Sequence, residues 1–150
     1  MNRVKILLPE HFSFTTILPI RITDINYGNH VGNQVFFELI HEARVRYLNQ
    51  FSYKELEFEG VGLIMADAAI EFKSEVFYGD EMEIAVGISD IANSSFNLFY
   101  LLTVVRDGKR IIAGKAKTGM ICFDYDQKKV VTIPLLAKEK LTAASSSITK

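Results

Sequence analysis

The stretch "NQVFFELIHEARVRYLNQF", residues 33–51, constrains the fold more than any other part of this chain. Phe36, Leu39, Ile40, Ala43 and Tyr47 recur at helical spacing and share one face. Val35, Phe37, Val45 and Leu48 widen the apolar arc beyond what a surface helix needs. The spacing therefore predicts a long helix wrapped by other elements. Beyond this helix the chain reads as strand upon strand. "GLIMADAAIEFKS" (62–74) comes first, and then "EMEIAVGISDI" (81–91), with Met82, Ile84, Val86 and Ile88 on one face. "SSFNLFYLLTVV" (94–105) is apolar on both faces, as a central strand is, and "RIIAGKAKTGMICFDY" (110–125) returns. Gly79-Asp80 and Asp107-Gly108 supply turns. Ahead of the helix, "FTTILPIRITD" reads as a strand in which Pro19 favours an edge, a bulge or a start. The small residues Ala113, Gly114, Ala116 and Gly119 either let the helix approach the sheet or mark bulges. "IPLLAKEKLTA" adds a short terminal helix. The expected class is α+β: an antiparallel sheet of about five strands curled around one long central helix.

At 150 residues, 49% hydrophobic with eleven Phe and six Tyr, the chain reads as one folded domain over 1–150. Its core is expected over about 12–134, and "AASSSITK" (143–150) as a flexible tail. The net charge of −1 gives no global reason to expect nucleic acid. A single cysteine, Cys122, excludes an internal disulfide, reads as a core residue and makes a cytoplasmic location the default. No apolar run is long enough to span a bilayer, and "MNRVKILLPEHF" makes a poor signal peptide.

The chemistry concentrates in "RITDINYGNHVGNQ" (21–34), a polar, glycine-containing loop that feeds the long helix. Helix starts present unpaired N–H groups and partial positive charge, which suits a developing oxyanion. Together with the "EAR" of Glu42 to Arg44, the loop resembles the opening signature of hotdog-fold acyl-CoA thioesterases of the 4-hydroxybenzoyl-CoA thioesterase type. Their usual pattern is R-x-x-D-x-D-x-x-G-H-V-x-N. The resemblance continues through "EFKSEVFYGDEMEI" and "RDGKRIIAGKAKTGMICFDYDQKKVVTIP", and so covers roughly 20–134. It implies a hotdog fold and hydrolysis of an acyl thioester carried on coenzyme A or acyl carrier protein. It also implies a tight homodimer, or a homotetramer, with sites at the subunit interface, and neither metal nor organic cofactor.

The resemblance places backbone N–H groups around Gly28 to Val31, including Asn29, on the carbonyl oxygen, with Gly28 and Gly32 lending backbone freedom. It departs from the usual chemistry at one point: the family's second acid falls on Asn26, an amide that orients water or donates a hydrogen bond but cannot serve as a carboxylate base. The family Gly before His is also replaced, by Asn29. Three carboxylates are candidates for the missing charge. Asp24 would share a strand face with Asn26, or is a turn acid; Asp67 interrupts an apolar strand and is either paired or functional; Glu42 reads as an ion-paired surface acid. His30 either anchors substrate as an acid or fixes the loop. Asn33 reads foremost as the helix cap and Tyr27 as an acyl-pocket or partner contact. Ser94, Ser95 and Lys117 are candidates for coenzyme A phosphates, against a plain solvated sheet edge. The expected activity is thus acyl-CoA or acyl-ACP hydrolysis, with a non-catalytic acyl-CoA, carrier-protein or partner-binding module as the rival.

Overall fold

The computed structural model describes residues 1–146. The elements run β1 (Phe14–Pro19), a short 3-10 turn (Ile22–Asp24), α1 (Asn33–Asn49), β2 (Gly62–Phe72), β3 (Glu81–Ser89), β4 (Ser95–Arg106), β5 (Lys109–Asp124), β6 (Lys129–Val130) and α2 (Leu135–Ser146). The sheet is antiparallel in the order β1-β3-β4-β5-β2, with β6 paired to β5. β1 is an edge, which is where a strand ending in Pro19 can sit without wasting a ladder bond. The alternation in β3 is as read: Met82, Ile84, Val86 and Ile88 are all buried. Asp107 and Gly108 both have positive φ, 52° and 74°, the geometry of a tight hairpin between β4 and β5.

α1 crosses the sheet from one edge to the other. Near its start, Phe36 meets Phe72 of β2 edge-to-face at 5.1 Å; near its end, Tyr47 meets Phe14 of β1 at 5.9 Å. Val35, Phe36, Leu39, Ile40, Ala43, Tyr47 and Leu48 are buried against the sheet. The wrapped helix expected from sequence is corrected here: Phe37 and Val45 are exposed, so one face of α1 is covered and the other is open in the single chain. Arg44 alone among the helix cations turns inward. Its Nε donates to Glu55 Oε1 at 2.8 Å and its Nη1 lies 3.4 Å from Tyr100 Oη, which shares a hydrogen bond of 2.8 Å with Thr118 Oγ1. Arg46 instead pairs with Glu42 one turn back at 3.0 Å, so Glu42 is the surface ion-pair residue its spacing suggested.

Both readings of the small residues in β5 hold. The β4–β5 register slips where Ala113 is extra, and Gly114 faces Phe36 of α1, where an added Cβ would lie 3.6 Å from the ring. α2 continues through Ser146, into the segment read as a flexible tail; the rest of that tail, 147–150, lies outside the described residues. Among the described residues no helix is long and apolar enough to cross a membrane.

Candidate active site

Between β1 and α1 the chain does not stay extended as the sequence suggested. Residues Ile22–Asp24 form a 3-10 turn, so Asp24 and Asn26 do not share a strand face. Asp24 is 3% exposed, and its carboxylate accepts from the Arg21 backbone N–H at 2.8 Å and from Arg21 Nη2 at 3.1 Å. It opens onto a groove shared with Glu38, Glu42 and Arg46 along the outer side of α1. Its backbone carbonyl accepts from Gly32 N–H at 3.3 Å, which ties the turn to the start of the helix. Asp24 is thus a structural anchor of the loop, not a base facing the helix end.

The loop itself is closed by its own hydrogen bonds. Asn26 Oδ1 accepts from Gly28 N–H at 2.9 Å, Asn29 N–H reaches Asn26 O at 3.1 Å, and Asn26 N–H reaches His30 O at 2.9 Å. Asn29 has φ of 64°, so the residue replacing the family glycine is the side chain that best tolerates the left-handed region. Gly28 and Gly32 do not have positive φ; the backbone freedom expected of them is not used. A Cβ on Gly28 would lie 3.2 Å from both Asn26 Oδ1 and His30 Nε2, so these two side chains converge on one side of the loop. His30 Nδ1 lies 3.2 Å from Val31 O, and Nε2 is the ring nitrogen on the Gly28 side of the loop. Tyr27 is 103% exposed in the single chain.

Which amides remain open differs from the sequence expectation. The N–H groups of Gly28, Asn29, Val31 and Gly32 are all taken, Val31 by Val76 O at 2.8 Å. Among the described residues, those of His30, Asn33 and Gln34 have no acceptor. The cap of α1 is Gly32, not Asn33, which is the first helical residue. A glycine cap has no side-chain oxygen to consume the first-turn donors, so they stay available at the positive end of the helix.

Of these residues His30 and Asn33 border a cleft of about 220 Å³, which is also lined by Val31, Phe36 and the segment 72–76. One wall is aromatic, from Phe36 and Phe72; the other holds Lys73, Ser74 and Glu75. The Val31–Val76 hydrogen bond staples this segment to the loop, and Lys73 and Ser74 N–H both donate to Ala113 O. Lys73 Nζ pairs with Glu71 Oε2 at 2.6 Å. Among the described residues the Glu75 carboxylate has no hydrogen-bond or ion-pair partner, and it is the acid that shares the cleft with His30. Sequence reading missed Glu75 because nothing within "EFKSEVFYGD" distinguishes it from its charged neighbours; only the Val31–Val76 pairing brings it to the loop. A larger groove of about 500 Å³, by Glu10, His11, Asp90 and Lys138, contains none of the open helix-end amides. Size alone therefore does not mark the site.

The remaining sequence candidates lie elsewhere. Asp67 sits at a β-bulge in β2 and is exposed, not buried in an apolar strand. Its Oδ1 accepts from Lys117 Nζ at 2.7 Å and Gly119 N–H at 3.0 Å, and the Lys117 hydrogen bond holds the carboxyl below its usual range. It is five residues, roughly 17 Å, along β2 from Phe72. Ser95 begins β4 seven residues from Leu102, the partner of Gly114 behind Phe36, or roughly 23 Å away. Ser94 and Ser95 thus lie toward the opposite end of the sheet, while Lys117 sits mid-strand in β5, three residues from Gly114, with its Nζ on Asp67. Cys122 is fully buried, and burial pushes its thiol up to about 11. No three His, Cys, Asp or Glu side chains among the described residues are placed to hold a metal ion.

Comparison with known proteins bears on this arrangement. The sequence profile of the thioesterase-like superfamily matches residues 20–144. Among solved structures, an Asp-to-Asn mutant of 4-hydroxybenzoyl CoA thioesterase, complexed with 4-hydroxybenzoyl CoA, superposes with a TM-score of 0.77 at 16% identity, over 84% of this chain and 96% of that one. A 1,4-dihydroxy-2-naphthoyl-CoA thioesterase from Synechocystis gives 0.74 at 18% identity, over 88% and 94%. A thioesterase from Thermus thermophilus, complexed with coenzyme A and Zn, gives 0.78 at 21% identity, over 93% and 99%.

Proposed function

The chain belongs to the thioesterase-like superfamily, and from that premise we propose that it hydrolyses an acyl thioester of coenzyme A or of acyl carrier protein in the cleft at the start of α1. The observation that carries this reading is the pair of open amides at His30 and Asn33 in one cleft with a carboxylate that has no partner. The thioester carbonyl oxygen sits at the helix N-terminus, where the two N–H groups and the helix dipole stabilise the tetrahedral oxyanion. Glu75 takes a proton from water, which adds to the carbonyl carbon. Collapse breaks the C–S bond, and His30 Nε2 relays the proton from Glu75 to the departing thiolate, which returns both groups to their starting states. Asn26 holds the loop through Gly28 and offers its Nδ2 as a further donor. Reagents and products balance as thioester plus water giving acid plus thiol.

A homodimer through the β2 edge fits the same reading. Met65, Ala66 and Ala68 are exposed in the middle of that edge strand, although they are apolar. A second copy there would cover apolar surface, enclose more of α1, and bring Asp67 into the shared interface. Free-thiol release over a series of acyl-CoAs tests the activity. Hydrolysis well above background supports the reading, and its absence for every acyl group, with folded protein, refutes it. A non-catalytic acyl-CoA-binding module is the second reading, favoured by the amide at Asn26. Calorimetric binding of coenzyme A without turnover would select it.

A further inference from the structure

We propose that Phe72 sets the length of acyl chain the cleft accepts and restricts it to short acyl groups; this rests on the thioesterase reading above. The cleft has a polar end and an apolar end. His30, Glu75 and the open helix amides form the first; Phe36 and Phe72 form the second. A carbonyl held at the amides therefore directs its acyl chain toward the two rings.

Those rings differ in what they can yield. Phe36 is 3% exposed, and the Gly114 backbone lies directly behind it. Phe72 is 47% exposed and meets Phe36 edge-to-face, with an interplanar angle of 88°. An aromatic ring with half its surface open, in a cleft whose rim is otherwise polar, is an apolar surface available to a ligand. Its backbone is held on both sides. Glu71 accepts the Ile6 N–H at 3.1 Å and pairs with Lys73, while Lys73 and Ser74 N–H share Ala113 O. The wall can rotate a ring but cannot retreat as a strand. At about 220 Å³ the cleft is below the roughly 300–1,000 Å³ usual for drug-sized ligands, so the Phe72 ring, carried on a strand that does not retreat, limits how far an acyl chain extends.

The test is kcat/KM for acyl-CoAs from acetyl to dodecanoyl, measured on the whole chain as wild type, Phe72→Ala and Phe72→Trp. The wild type should favour short chains. Phe72→Ala should raise the octanoyl-to-butyryl ratio on the order of tenfold, and Phe72→Trp should lower it. Should Phe72→Ala fail to fold, Phe72→Trp and Phe72→Leu decide the matter by the same ratio. An unchanged ratio in folded variants, or a wild-type preference for long chains, overturns the inference and leaves Phe72 as a packing residue. A wild type that hydrolyses none of the series overturns the thioesterase reading instead.

Discussion

Two polar clusters sit on the same helix, one at its start and one at its middle, and they are built in opposite ways. Around Arg44 each group has a partner: Glu55 takes Nε, Tyr100 approaches Nη1, and Thr118 shares the Tyr100 hydroxyl. At the helix start, the amides of His30, Asn33 and Gln34 and the carboxylate of Glu75 are without partners among the described residues. A buried donor left without an acceptor costs about 1–3 kcal/mol, so a saturated cluster is what stability alone would select. Open donors beside an open acid are tolerated only where solvent, or a ligand, can reach them. The difference sets a saturated structural network apart from a cluster that stays open to solvent or ligand.

The contrast is broken most severely by removing the open acid. Glu75→Gln should lower kcat by about a hundredfold or more while leaving the thermal midpoint within about 2 °C, because the side chain is exposed and unpaired. Paired kinetics and melting curves check this. The Arg44 cluster should show the reverse. Arg44→Ala removes a donor from Glu55 while Tyr100 keeps Thr118, and should cost about 2–3 kcal/mol in denaturant unfolding, below the figure for a fully buried pair because Glu55 is partly exposed. Its effect on kcat should be no more than the share of protein unfolded.

A milder change sharpens the comparison by closing the open cluster. Gly32 has φ of −69° and ψ of 152°, which a serine adopts without strain. Gly32→Ser would let a hydroxyl accept from the first-turn amides, raising stability by about 0.3 kcal/mol while lowering activity about tenfold. The neighbouring Gln34 side chain must shift to admit the new Cβ, which its flexible end allows. The smallest effect concerns Cys122. Burial pushes its thiol up to about 11, so the thiolate is scarce near neutrality. Labelling of the native protein by an aromatic disulfide should stay slow from pH 8 through the range near 8.5 where a free thiol ionises. The urea-unfolded chain should label fast and level off there. Slow native labelling also keeps the free-thiol assay clear of background from the protein.

Much of the framework was legible because it follows from period and turn chemistry. β3 alternates and is buried as it alternates; the β4–β5 hairpin carries Asp107-Gly108 where positive φ is required. The loop's importance was legible too, since its polar and glycine residues lie directly before the helix. Its internal geometry was not. Arg21 and Asp24 fold the chain into a 3-10 turn through a local ion pair, which overrides the strand pattern of Ile20 and Ile22. The cap fell one residue earlier than Asn33, and that shift moved the open donors from Gly28–Val31 into the first turn of α1. Asp67 reads as either paired or functional among apolar neighbours; it is paired, with Lys117, on an edge strand that leaves those neighbours exposed. Glu75 was invisible because its role depends on a long-range pairing of Val31 with Val76.

The most direct measurement is a structure of the protein bound to a non-hydrolysable acyl-CoA analogue. The expected result puts the carbonyl oxygen about 2.7–3.1 Å from the His30 and Asn33 nitrogens, with the acyl group on Phe72 and a water at Glu75. An analogue seated away from the start of α1, or one whose carbonyl points away from those amides, would contradict the account.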